Sequence, residues 1–222
     1  PPAWVDRHDP PAVLLHVHGH VMRRLVLGVA GADDGDGFVA AQNAFDGLVG
    51  AHVSHSTVGR VNGPGNLPWT EVTEQLVARP VAAALATWDR AGVLAAPIDP
   101  DVADTAAFCE SYQVDMADSA NCVVIAGRRG DDTRYAACVV LATTRADVNG
   151  VVRKRLAARK ASFAPMEDAV TLTGMEFGGI TPIGLPQTWP VLIDAAVLKR
   201  EVVVIGSGLR RSKIALPSVA LA

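Results

Sequence analysis

From Trp69 onward, apolar positions recur along the chain with periods that predict secondary structure. Val77, Val81, Ala84, Leu85 and Trp88 return every three or four residues, lining one face of a helix, and Gly92 follows where that helix should stop. The short apolar run 93–98, punctuated by Pro97 and closed by Pro100, predicts a strand, and residues 101–112 predict a helix with Asp101 or Asp104 as its cap. Residues 122–126 and 135–143 are rich in Val, Ile and Cys. The polar connection 127–133 has the composition of a hairpin, so the two runs predict adjacent antiparallel strands. Asp147 predicts the cap of a helix continuing through Lys160. A second short helix is expected around 167–172, with further strands at 191–193 and 202–205. This order is not a regular βαβ series, so it predicts a mixed α/β, α+β-like single domain with a largely antiparallel sheet flanked by helices.

Residues before about position 63 show no sustained period. They hold all six histidines and the run Asp33-Asp34-Gly35-Asp36-Gly37. Two glycines and two prolines in Gly63-Pro64-Gly65-Asn66-Leu67-Pro68 favour turn and extended backbone. The expected division is a poorly defined extension, 1–65, and a folded domain, 66–222.

Composition narrows the function classes. Half of the 222 residues are apolar, enough for a full hydrophobic core. A net charge of −3 leaves no global basicity, which argues against a wrapped DNA duplex but permits contact with an RNA end through a local patch. Cys109, Cys122 and Cys138 are odd in number and widely spaced, so neither a disulfide framework nor a zinc site is indicated, and a reducing cytoplasm is the expected compartment. The longest apolar runs fall far short of the roughly 20 residues that span a bilayer, and the start of the chain lacks a signal pattern.

The strongest candidate motif is Thr173-Gly174-Met175-Glu176-Phe177-Gly178-Gly179-Ile180-Thr181-Pro182-Ile183-Gly184. Without Cβ atoms, Gly178 and Gly179 let backbone amides approach a ligand, and Pro182 holds Thr181 extended. Such a loop can present N–H donors to a developing oxyanion, although a tight helix-to-strand connection uses the same residues.

That motif is followed by Pro190-Val191-Leu192-Ile193-Asp194, then by Val202-Val203-Val204-Ile205-Gly206-Ser207-Gly208, and ends in Lys213-Ile214-Ala215-Leu216. In this order the blocks resemble the C-terminal half of the YbaK/prolyl-tRNA synthetase-associated domain family, cytoplasmic domains that hydrolyse wrongly charged aminoacyl-tRNA. The resemblance covers roughly residues 104–216. It implies a cofactor-free aminoacyl-tRNA deacylase whose substrate contacts come from Gly178, Gly179, Ile180, Thr181 and Pro182, with Asp194, Gly206, Ser207 and Gly208 alongside. The family usually places a lysine at the start of the first core strand. Here Asn121 occupies that place in Ser119-Ala120-Asn121-Cys122-Val123-Val124. The resemblance therefore assigns catalysis to Asn121 and Gly179. A neutral amide brings donors and an acceptor but no charge. Asn121 either bonds the substrate while another cation supplies the charge, or is a strand-start residue bonding nearby backbone.

Candidates for that charge are Arg145, Arg153, Lys154, Arg155, Arg159 and Lys160, in or beside one expected helix with Asp147 opposing them. They can receive the phosphates of an RNA acceptor end; an ordinary solvated helix face accounts for them equally well. Arg210, Arg211 and Lys213 are positioned to extend the patch. No aromatic stripe interleaves the basic residues, so a platform for long single strands is not expected.

Other matches fail. Gly206-Ser207-Gly208 has Arg211 in place of a third glycine and no room for a βαβ unit, so a Rossmann site is not expected. His16, His18, His20, His52 and His55 have no nearby Cys or paired carboxylate, so no metal is expected. Asp194 and Glu176 suit acid–base work, though such carboxylates more often serve as caps. No histidine follows His55, which removes Ser-His-Asp and Cys-His arrangements. An aminoacyl ester is already activated, so orientation and hydrogen bonds to its carbonyl can suffice. The expected function is trans-editing hydrolysis of mischarged aminoacyl-tRNA. The alternatives are a catalytically silent homologue that binds aminoacyl-tRNA or a synthetase, and an enzyme acting on another acylated small molecule.

Overall fold

The computed structural model describes residues 63–88 and 90–222, together with the backbone of three short strands before them: β1 (His16–Val17), β2 (His20–Val21) and β3 (Arg24–Leu27). The histidine side chains and the acidic-glycine run lie outside the described residues.

The helical period after Trp69 appears as α1 (Arg79–Leu85), shorter than the apolar repeat, preceded by the two-residue β4 (Thr70–Glu71). Strand β5 (Leu94–Pro97) follows the turn at Gly92. Residues 100–102 form a single 3-10 turn, and Asp104, not Asp101, caps α2 (Thr105–Tyr112) by accepting from the Ala106 amide. The central hairpin is longer and tighter than its composition predicts. Strands β6 (Ala120–Arg129) and β7 (Asp132–Leu141) pair along their full length down to Arg129 opposite Asp132, leaving Gly130 and Asp131 as a two-residue turn. Gly130 has φ +62°, a conformation such turns require.

The expected helix from Asp147 through Lys160 does not form as one element. Asp147 accepts from the Gly150 and Val151 amides and opens one wide turn over Val148–Val152, which runs into the three-residue α3 (Arg153–Arg155). Ala157 then turns left-handed with φ +50°, and the Arg159 amide donates to the Arg128 carbonyl. From there the chain pairs with the hairpin as β8 (Lys160–Phe163). Beyond Arg155 helix propensity thus loses to the edge of β6, whose unpaired backbone groups offer a ladder. Helix α4 (Met166–Thr173), β9 (Val191–Asp194), α5 (Ala195–Leu198), β10 (Val202–Gly206) and β11 (Ser212–Pro217) complete the described elements.

The fold is mixed and mainly antiparallel, divided between two main sheets, with β1 and β2 paired as a separate two-stranded ribbon. One has the order β3-β9-β7-β6-β8, with β9 parallel to β7 and β3 parallel to β9; the other has the order β10-β11-β5-β4 and is antiparallel throughout. A parallel bridge between Ser119 and Val204 joins them. The main core lies between the sheets, where Val139 and Ile193 meet Ile205, Ile214 and Leu216, closed by Val81 and Leu85 of α1. Helix α2 covers the far side of the second sheet by packing Phe108 and Cys109 on Ala96, Val204 and Ala215. Val152 and Leu156 cover part of the far side of the first sheet, over Ile125, Ala136 and Cys138.

Candidate active site

Side chains alternate along β6. Cys122 points into the main core and Val124 to the small cluster beside it, whereas Val123 and Ile125 point to the opposite face. Asn121 shares the face of Val123. Its carbonyl oxygen accepts a 2.7 Å hydrogen bond from the Thr105 hydroxyl at the first turn of α2, so the amide is anchored from one side. With that oxygen held, its NH₂ group remains as a pair of donors.

Asn121 stands at the wall of an open pocket of about 690 Å³, within the range that takes small ligands. Val123, Val140, Ala146, Val148 and Ala161 make its walls aliphatic, while Thr144, Arg145 and Asp147 stand on one side. A second depression of about 540 Å³ is lined by Arg128, Arg153, Arg159 and Lys160. The two share Asn149, Ala161, Ser162 and Phe163, so an apolar pocket runs into a cationic groove along β8. Of the six expected RNA-binding residues, Arg145 lines the pocket and Arg153, Arg159 and Lys160 line the groove, whereas Lys154 and Arg155 line neither. Arg128 and Phe163 were not anticipated, although Arg128 was visible in the polar hairpin connection and Phe163 lies three residues beyond Lys160.

The glycine-proline loop closes on the protein itself. The Glu176 amide donates to the Gly208 carbonyl, the Gly208 amide returns a 2.7 Å bond to the Gly179 carbonyl, and the Arg210 amide donates to the Glu176 carboxylate at 2.6 Å. The Gly179 amide is also engaged, donating to the Glu176 carbonyl. A Cβ on Gly179 would lie 2.5–2.9 Å from the backbone of Leu209, and one on Gly206 would meet the Gly179 and Ile180 carbonyls. These two glycines thus permit the approach of backbone to backbone. Gly178 is exposed with φ +85°, Ile180 is half-buried, and Thr181 and Pro182 are buried. The Thr181 hydroxyl oxygen is the one buried side-chain polar atom without a hydrogen-bond partner among the described residues.

The remaining sequence candidates hold structure together. Asp194 caps α5 through the Ala196 amide, and Ser207 exchanges hydrogen bonds with Ser212, Leu209 and the Ser212 carbonyl. The loop packs towards the junction of the sheets: Ser119 and Val204 form an isolated parallel bridge, Gly206 lies two residues past Val204, and a Cβ on it would meet the Gly179 and Ile180 carbonyls.

Residues 99–222 match the aminoacyl-tRNA editing domain family, more than half of the chain. The chain belongs to that family. Among solved structures it is similar to a proposed trans-editing enzyme for prolyl-tRNA synthetase, at 19% identity over 68% of this chain and 93% of that one, with a TM-score of 0.56. It is likewise similar to a protein described as a hypothetical protein, at 21% identity over 64% and 91% of the two chains, with a TM-score of 0.54. A third similar structure comes from work on epitope backbone grafting onto scaffold proteins, at 19% identity over 65% and 88%, with a TM-score of 0.55. No curated protein matches the sequence. At these identities the solved structures establish the fold of the editing domain, a mixed architecture they share with it.

The thiols of this editing domain are poor nucleophiles. Burial pushes all three up from their ordinary value, Cys138 to about 12. Among the described residues no three His, Cys, Asp or Glu side chains come together as a metal site, and no helix is long and apolar enough to cross a membrane.

Lys213 does not extend the basic patch. It is 8% exposed, cross-strand from Gly206, with its amine over the Phe108 ring and bonded to the Ala103 carbonyl at 3.3 Å. Burial lowers its pKa from the ordinary 10.5, aided by repulsion from Arg210 and opposed by Cys109 and Asp104. Between that lowered value and 10.5 the unfolded chain binds the extra proton, so stability rises with pH across the window. The cost of burying the charge is therefore present at neutral pH and relieved towards pH 10.5. Lys213→Met is expected to be at least as stable as the parent at pH 7 and to lose this alkaline rise, read as urea midpoints from pH 7 to 10.5. A variant less stable at pH 7 with an unchanged slope would show that the Ala103 and Phe108 contacts outweigh the burial.

Proposed function

We propose that this chain is a cytoplasmic trans-editing aminoacyl-tRNA deacylase, working through a domain of residues 66–222 and needing no cofactor. The observation that carries the reading is the Asn121 pocket, aliphatic and of ligand size, opening into a groove lined by four cations. Within an aminoacyl-tRNA editing family, that pairing suits an apolar aminoacyl group at one end and the phosphates of an acceptor strand at the other. Water attacks the ester carbonyl carbon, the bond to the ribose oxygen breaks, and that oxygen takes up the proton water gives up. The products are a free amino acid and uncharged tRNA. Because Thr105 holds its oxygen, the Asn121 NH₂ is oriented to donate to the oxyanion that forms on the way.

The test is hydrolysis of a panel of mischarged tRNAs by the purified protein, with Asn121→Asp beside it. Aspartate still accepts from Thr105 but lacks N–H donors, so kcat is expected to fall about 100-fold, as for loss of one oxyanion donor. Tight binding with no turnover of any panel member would assign the chain to a silent, tRNA-binding role instead. Equal turnover by Asn121→Asp would remove this amide from the chemistry.

A further inference from the structure

Strand β8 is an edge strand, and Phe163 at its end is 63% exposed on the face that its cross-strand partner Ile125 shares. Elsewhere on that face Val152 and Leu156 cover the apolar residues, but nothing in the described chain covers this ring. It stands where the aliphatic pocket and the cationic groove meet, among the residues common to both. Arg128 lies directly opposite Lys160 across the β6–β8 ladder, on the other face of the edge strand from Phe163, and both still line the groove that the ring lines; their like-charge pairing costs stability when no anion sits over it. Neither residue has a carboxylate partner among the described residues, and Asp147, the one carboxylate lining either depression, is spent on the Gly150 and Val151 amides. An uncovered aromatic ring in a concave groove at the sheet edge, lined as well by cations without carboxylate partners, matches a narrow polyanion with flat, stackable faces. A bilayer surface would not enter such a groove.

We propose that Phe163 is a base-stacking post for the single-stranded 3′ end of an RNA. One unpaired base lies on the ring while Arg128, Arg159 and Lys160 hold the phosphate leading to it. The inference rests on the acceptor-end reading of the same groove and adds to it the residue that grips the base. Stacking on the ring is sequence-tolerant because every base has a π-face, and it sets how far the 3′ terminus reaches into the Asn121 pocket.

The probe is a fluorescein-labelled RNA hairpin with a four-nucleotide single-stranded 3′ tail, compared with its blunt counterpart by fluorescence anisotropy. Phe163→Ala and Phe163→Leu are expected to weaken binding of the tailed RNA about tenfold. Phe163→Trp retains binding, and the salt slope stays that of the parent because no phosphate contact is lost. Binding of the blunt hairpin is expected to be unaffected. Parent-like affinity in Phe163→Ala, or Leu serving as well as Phe, overturns stacking. So does a parent protein that ignores the tail, or one that prefers phosphatidylserine vesicles in a Phe163-dependent way. Binding of an uncharged tail is read without any ester, so absent hydrolysis would sink the deacylase reading while leaving this result standing, and the reverse holds equally.

Discussion

Gly179→Val is expected to destabilise the domain by about 3 kcal/mol or more, lowering Tm by roughly 10 °C, instead of silencing an intact fold. The sequence invites the other expectation, that a side chain here would block the approach of a ligand to the loop amides. In the folded chain the space is taken by the protein. A Cβ would stand 2.5 Å from the Leu209 carbonyl carbon and 2.9 Å from its nitrogen, and backbone cannot swing aside as a side-chain tip can. The Gly208 amide bond to the Gly179 carbonyl would be displaced with it. Two companions calibrate the effect. Gly178→Ala places its Cβ against the flexible end of Arg210, and Gly130→Ala meets nothing within 4 Å, so each is expected to cost about 1 kcal/mol for its positive φ alone. Thermal unfolding followed by circular dichroism ranks the three. A Gly179→Val protein with parental Tm would mean that the 207–210 turn is free to move away.

The second large effect is on affinity. Replacing Arg153, Arg159 and Lys160 together with Ala is expected to weaken binding of a tRNA acceptor end at low salt by one to two orders of magnitude, and to reduce the salt slope by about 2. Three single-strand phosphate contacts at roughly 0.7 released counterion each give that slope change. Turnover at saturating mischarged tRNA should change little, because the groove lies beside the pocket that holds Asn121. Lys199→Ala, an exposed cation that lines neither depression, is the control for bulk charge. An unchanged slope in the triple variant would reduce the groove to a solvated face. Loss of turnover at saturation would instead place one of these cations at the ester.

Local chemistry determined a good part of this protein. Asp104 before Thr105 specifies a capped helix, and the Val- and Cys-rich runs around Gly130 specify a hairpin. The ordered blocks from Thr173 to Leu216 specify the editing family, because each depends on residues near one another in the chain. The tertiary structure decided what competed over distance. The helix expected through Lys160 stops after Arg155, and the chain enters β8 at Lys160 because the β6 edge offered hydrogen bonds that a short helix could not match. Lys213 read as surface charge until β11 carried its amine onto the Phe108 ring, and Gly179 read as a ligand contact until the 207–210 turn filled its space. Asn121 met Thr105, sixteen residues earlier, only once α2 had packed beside β6, and Phe163 and Arg128 came to line one groove only once β8 had docked on β6. Residue type and spacing state what a side chain can do. Packing between strands far apart in sequence selects which of those abilities face the groove, because burial and alignment are properties of the assembled sheets and not of any one segment.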